Sequence, residues 1–235
     1  MNNIFLKDLF NSLNSENIDY LILRGYQDLP ESYSNDLDFS VRNKGELGLF
    51  FSVINTLSAK YKYSISTDAV RSGLLKVFLH FGNKILKIDV FYCFKYAGLH
   101  YIDIENLHQS KRILNTGIKA PSINYELAIS LLKEILHNSR IRKDKVLLLR
   151  SQYEQAIFNI PFNNYFTEKN IIKISKSLFS GHKLYFCKLA SNCRFNLVLS
   201  NLKLFGFVNT LIAMIEFFYV KYFNQKKYEN IINKN

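Results

Sequence analysis

Two carboxylates, Asp36 and Asp38, stand one residue apart in DLDFSV, a run that alternates like a strand. Side chains at i and i+2 of a strand share a face. The two acids would therefore stand side by side, with Leu37 and Phe39 turned into a core. Adjacent carboxylates repel each other, and a divalent cation removes the conflict; hard oxygen ligands suit Mg²⁺. A third acid, Asp89, lies near the end of the apolar stretch KILKIDVFY. An acid there is costly to bury without a partner. It either joins the first two around a cation or pairs with a nearby lysine, Lys87 or Lys76.

These acids need strands to hold them. Tyr20, Leu21, Ile22 and Leu23 form a short apolar run closed by Arg24-Gly25. A glycine at a strand end permits a tight bend and close approach of a phosphate. Residues 74–81 alternate, Gly82-Asn83 is a two-residue hairpin turn signal, and residues 84–92 form the return strand carrying Asp89. Helical spacing predicts an amphipathic helix over residues 3–14 and another over 46–61, the latter packed across the back of the sheet. Residues 63–70 are an edge strand or loop. The expected class is α+β (α/β): a small mixed sheet with helices on one side, followed by a helical C-terminal region.

Strand, glycine, loop, an Asp-apolar-Asp strand and an Asp on a later strand resemble the nucleotidyltransferase superfamily with the DNA-polymerase-beta-like fold. The wording LRGYQDLP…NDLDFSV is also similar to small nucleotidyltransferase-like proteins of bacterial surface-polysaccharide gene sets. The resemblance covers roughly residues 1–150. It implies that Gly25 is the phosphate-loop glycine, that Asp36 and Asp38 are Mg²⁺ ligands, and that Asp89 completes the metal site or takes the proton from an attacking hydroxyl. Asp38 and Asp89 are then the catalytic acids. Arg24, Lys133 and Arg140 are candidate phosphate contacts. The reaction implied is nucleotidyl or phosphoryl transfer from a nucleoside triphosphate or other phosphorylated donor to a hydroxyl acceptor in surface-polysaccharide assembly. The chain departs from the family at one place: Tyr26 follows Gly25 where the family carries Ser or Gly. That departure keeps a catalytically silent binding module of the same fold in play, beside an antitoxin-like enzyme that modifies a protein.

Domain boundaries are expected at residues 1–118 for the catalytic domain and 119–235 for a helical region that covers the substrate. A helix enters at Pro121-Ser122 and runs through Leu127, Leu131, Leu132 and Leu136. Lys133 and Arg140, seven apart, would share one of its faces. Of the net charge of +12, the stretch from Pro161 onward carries +8, from eleven basic and three acidic residues. An anionic partner follows from that balance. Aromatics interleave with lysines over residues 158–186 without a repeated stacking platform, so nucleic acid is not an expected partner.

Between Lys203 and Lys221 the chain reads LFGFVNTLIAMIEFFYV. Three fates compete for this helix: burial in the domain, attachment to an anionic membrane surface through residues 203–227, or a short span. Glu216 and a length of about 25 Å argue against the span. Cys93, Cys187 and Cys193 form no CxxC pattern and read as small apolar residues suited to a reducing compartment. The start MNNIFLKDLF has no basic segment followed by an apolar run, so no leader is expected. The expected location is cytoplasmic, at the inner face of the cell membrane.

Overall fold

A computed structural model of the chain describes residues 3–31, 36–71, 73–155 and 187–223. The architecture is α+β, a five-stranded mixed sheet with helices and a long C-terminal helix. The chain divides into two compact units. The first comprises the described residues up to Phe94 together with Asp103–Pro121 and the described residues from Lys221 on. The second comprises Lys95–Ile102 and the described part of Ser122–Val220. The short stretch before Asp103 thus leaves the first unit, and the chain then returns to it.

The first unit begins with α1 (Asn3–Ser15), β1 (Tyr20–Ile22), β2 (Asp36–Val41), α2 (Lys44–Tyr61), β3 (Ser64–Arg71), β4 (Leu74–Phe81) and β5 (Lys84–Phe91). The sheet order is β1-β2-β5-β4-β3. Only β2 and β5 run parallel; the other neighbours are antiparallel. Leu37, Phe39 and Val41 of β2 and Leu86, Ile88 and Val90 of β5 are fully buried, together with Phe5, Leu6, Leu9 and Leu13 of α1 and Phe50 and Ile54 of α2. Each large side chain so buried contributes about 1.5–3 kcal/mol. Phe39 is the centre of this layer, with Phe50 at 5.0 Å and Phe10 at 6.1 Å between ring centroids. Because the side-chain period is two, the packing of these residues forces Asp36, Asp38, Lys87 and Asp89 onto the opposite face.

α2 starts where the sequence turns. The Asn43 side chain accepts from the Glu46 backbone N–H at 3.0 Å. The helix closes at Lys62 in the left-handed conformation, whose N–H returns to the last turn. Ile4 and Leu49, counted with the apolar spacing of these helices, are exposed instead. Beyond the hairpin, α3 (Ile104–Gln109) is capped by Asp103, and a small ladder joins Arg112–Ile113 to Lys119–Ala120.

The second unit pairs a hairpin, β6 (Phe94–Tyr96) and β7 (Leu99–Ile102), with α4 (Ile123–Asn138), α5 (Val146–Gln155) and α6 (Cys187–Phe223). Asn201 of α6 exchanges two 3.0 Å hydrogen bonds with the backbone of His100, imitating a ladder pair. Arg194 donates to the Leu136 carbonyl at 2.6 Å and to Ser139 Oγ at 2.8 Å, closing the end of α4. That end corrects one expectation. Ser139 takes a left-handed conformation (φ 51°) after Asn138. Arg140 therefore lies past the helix and does not share a helical face with Lys133.

α6 also differs from expectation. It begins well before Lys203 and is interrupted at Gly206 (φ 77°, ψ 169°). Ala190, Cys193, Leu197 and Asn201, before the break, are buried. After it, Phe207, Val208, Leu211, Ile212, Ile215, Phe218 and Tyr219 are all exposed, while Thr210 is buried and Ala213 and Met214 are half-buried. At about 100° per residue the exposed set fills one arc of the helix and the covered set another. Leu189–Tyr219 is long and apolar enough to cross a membrane by length and composition. The lysine-aromatic stretch 158–186, the Cys187 side chain and the residues after Phe223 lie outside the described residues.

Candidate functional site

The three acids converge. The parallel register sets Asp38 opposite Asp89 and Asp36 opposite Lys87. One carboxylate oxygen from each of Asp36, Asp38 and Asp89 lies within 4.8 Å of the others. Asp38 is 4% and Asp89 7% exposed, whereas Asp36 is half-exposed at the start of β2. The arrangement follows from strand pairing alone: two adjacent parallel strands in register put the side chains of paired residues on one face.

Two cations meet these acids. Arg24, at the bend after β1, donates through Nε to Asp38 Oδ2 and through Nη2 to Asp36 Oδ2 at 3.1 Å. Lys87 bridges Asp36 Oδ1 at 3.0 Å and Asp89 Oδ2 at 2.8 Å. Burial alone would lower the Lys87 pKa, but its hydrogen bonds to Asp89 and Asp36 outweigh burial and raise it, so the ammonium stays charged. The lysine partner of Asp89 is thus Lys87. Lys76, which faces Asp89 across β4, reaches toward Asp68 at 4.0 Å. Arg24, read from the sequence as a phosphate contact, is held by carboxylates here.

Even so, the acids are not fully satisfied. Asp38 Oδ1 and Asp89 Oδ1 are buried and have no hydrogen-bond partner among the described residues. A buried carboxylate oxygen without a donor is costly. Carboxylate oxygens alone make up the cluster, a donor set that suits a hard divalent cation. The residues present therefore fit such an ion.

Gly25 has φ +68°, and a side chain there would meet nothing within 4 Å. The requirement at this position is backbone conformation, and the space above it is open. Tyr26, the departure from the family pattern, turns inward: it is 8% exposed within the core, with Arg112 over its ring and hydrogen-bonded to its hydroxyl. The aromatic residue anchors the bend and does not obstruct it. Lys133 is exposed on α4 and Arg140 exposed beyond it, both in the second unit.

One polar network was not legible in the sequence. Ser40, two residues after Asp38 on the same face, contacts His108 Nε2 of α3 at 3.1 Å, and His108 Nδ1 lies 3.5 Å from Asp19. Asp19 is also bound by Arg42 at 2.8 Å and Lys111 at 2.7 Å. Burial opposes its ionisation, but hydrogen bonds from His108 and Lys111 outweigh that and hold its carboxyl well below the usual range. The order Ser-His-Asp is that of a nucleophile relay. Ser40 and His108 are both fully buried, so the network ties α3 to β2 and offers no oxygen to a substrate. The i+2 spacing from Asp38 was the one available signal for Ser40; nothing local marks His108.

No protein-family model matches this chain, and no curated protein or solved structure matches it either.

Proposed function

We propose that this chain is a metal-dependent transferase of nucleotidyltransferase type, passing a nucleotidyl or other phosphoryl group to a hydroxyl acceptor, with surface-polysaccharide assembly as its setting. The observation that carries the reading is the meeting of three carboxylates on paired parallel strands, two of them with buried oxygens that lack a partner. Mg²⁺ held by Asp36, Asp38 and Asp89 would polarise the phosphoryl group and stabilise charge on the leaving oxygen. Asp89, through its unpartnered oxygen, takes the proton from the acceptor hydroxyl. The acceptor oxygen forms the new bond to phosphorus, the donor's bond breaks, and the departing phosphate keeps the electron pair. The open bend at Gly25 lets phosphate oxygens approach the backbone. Titration calorimetry with Mg²⁺ and each nucleoside triphosphate tests this: saturable nucleotide binding that requires Mg²⁺ is expected. Metal-independent behaviour throughout would favour the silent binding module, a reading supported by the way Arg24 and Lys87 already offset part of the acids' charge.

The second half of α6 is assigned to an anionic membrane surface. Its exposed arc is apolar, Lys203 and Lys221 flank it, and the buried residues before Gly206 keep the first half within its own unit. A helix that packs one arc and exposes an apolar one lies in an interface more readily than it spans. Transferring a half-exposed Leu, Ile or Phe into lipid contributes on the order of 1 kcal/mol. Replacing Leu211, Ile215 and Phe218 by Ser together should lower vesicle affinity on the order of 100-fold. Flotation with phosphatidylserine-containing vesicles reads the effect, and equal flotation of the variant would remove the assignment.

A further inference from the structure

We propose that Lys87 and Arg24 are exchangeable counter-cations of the carboxylate cluster: a divalent cation displaces them, and the released ammonium and guanidinium then bind the phosphate oxygens of the donor. This rests on the metal-site reading above. Among the described residues, the three acids and two cations that pair here carry three negative charges against two positive, one negative between them. In that state the cluster repels a phosphate. Adding a divalent cation reverses the sign to one positive charge, and the same cluster attracts it.

The geometry suits exchange. The Lys87 and Arg24 side chains are 31% and 44% exposed, while those of Asp38 and Asp89 are 5% and 10% exposed. The cations therefore stand on the solvent side of the acids, where an ion must enter. The ammonium and guanidinium can return to water when an ion takes their place on the buried acids. The ammonium of Lys87 is a point charge on a flexible stem, and the guanidinium of Arg24 presents a fork that matches phosphate as well as carboxylate. The pairs also leave Asp38 Oδ1 and Asp89 Oδ1, both on residues more than nine-tenths buried, without partners. Two monovalent cations that leave these oxygens unmet hold the cluster less completely than an ion among all three acids.

Metal and phosphate then bind cooperatively, and Lys87 acts in opposite directions on the two. The test uses the full chain with Mn²⁺ alone, followed by electron paramagnetic resonance, and radiolabelled inorganic phosphate by equilibrium dialysis. In Lys87→Met, Mn²⁺ should bind about tenfold more tightly than in wild type, since its competitor is gone. Phosphate should bind wild type only when Mn²⁺ is present, and bind Mn²⁺-loaded Lys87→Met about tenfold more weakly. Lys87→Gln serves the same comparison should the Met variant lose its circular dichroism. Mn²⁺ binding to wild type with no tightening in either variant overturns the exchange and leaves the metal site standing. Phosphate binding that ignores Mn²⁺ overturns it as well. Absence of Mn²⁺ binding in every form overturns both this inference and the reading beneath it.

Discussion

Asp38→Asn is expected to lose the proposed divalent-cation binding while the fold keeps its stability. Asp38 stands with a carboxylate oxygen within 4.8 Å of those of Asp36 and Asp89 and is 4% exposed. Two like charges about 5 Å apart repel by about 3 kcal/mol at an effective dielectric constant of about 20. The native state carries that repulsion, offset by Arg24 and Lys87. Asn keeps the volume and removes one charge, which relieves repulsion with both neighbouring acids. Arg24 loses a partner, yet its side chain is 44% exposed and water can replace the bond. The two changes nearly cancel, so unfolding free energy should stay within about 1 kcal/mol of wild type. Metal binding has no such compensation, because an amide oxygen cannot replace an anionic ligand. The expected loss in Mn²⁺ affinity is on the order of 10³-fold, about 4 kcal/mol. Calorimetry and urea unfolding on the same preparations check both halves. If Asp38 served only to anchor Arg24, the outcome would invert: stability would fall and Mn²⁺ affinity would not change. Asp36→Asn, at the half-exposed position, should show a smaller loss of affinity, as befits a ligand that keeps more of its hydration.

How much of this was readable before the structure differs by element. The strands carrying the acids were legible because alternation is local: DLDFSV and KILKIDVF place their apolar sets on one face without reference to anything else. That Asp38 lies opposite Asp89 was not local. It depends on β2 and β5 being parallel neighbours, and they are separated by a helix and two strands. Lys87 sits two residues before Asp89, so its sharing of that face was foreseeable, but its bridge to Asp36 follows from the same pairing. Arg140 was read as part of α4 because a helix closed by a left-handed Ser139 lacks the glycine that usually announces an end. The fate of residues after Gly206 was undecidable for a different reason. An all-round apolar composition reads alike whether the helix is covered or exposed, and only the packing of Thr210 and Ala213 distinguishes the arcs.

That packing makes Gly98→Ala a strongly damaging substitution in the second unit. Gly98 forms the β6–β7 turn with φ +84°. An alanine there pays about 1 kcal/mol for the conformation. Its Cβ would also overlap the carbonyl oxygen of Ala213 and lie 2.8 Å from the carbonyl carbon. Both are backbone atoms of α6 and cannot rotate away, so the hairpin or the helix must shift and give up contacts. The total is expected at about 3 kcal/mol or more. Gly82→Ala is the control: φ is +56° and nothing lies within 4 Å of the added carbon, so only the conformational part applies. Because a chain of two units need not unfold in one step, amide hydrogen exchange over residues 95–102 is the sharper readout. Protection there should fall on the order of 100-fold in Gly98→Ala, whereas Gly82→Ala, read over its own hairpin strands (residues 74–91), should lose less than tenfold. Equal effects would show that the Gly98–Ala213 contact carries no weight. The contact also bears on the membrane assignment. Ala213 lies on the arc of α6 away from Leu211 and Ile215, so seating it against the hairpin is what turns the apolar arc outward. Loosening that seat should leave the apolar residues present but no longer held in one plane, and the proposed vesicle binding should weaken although no side chain of the apolar arc has changed.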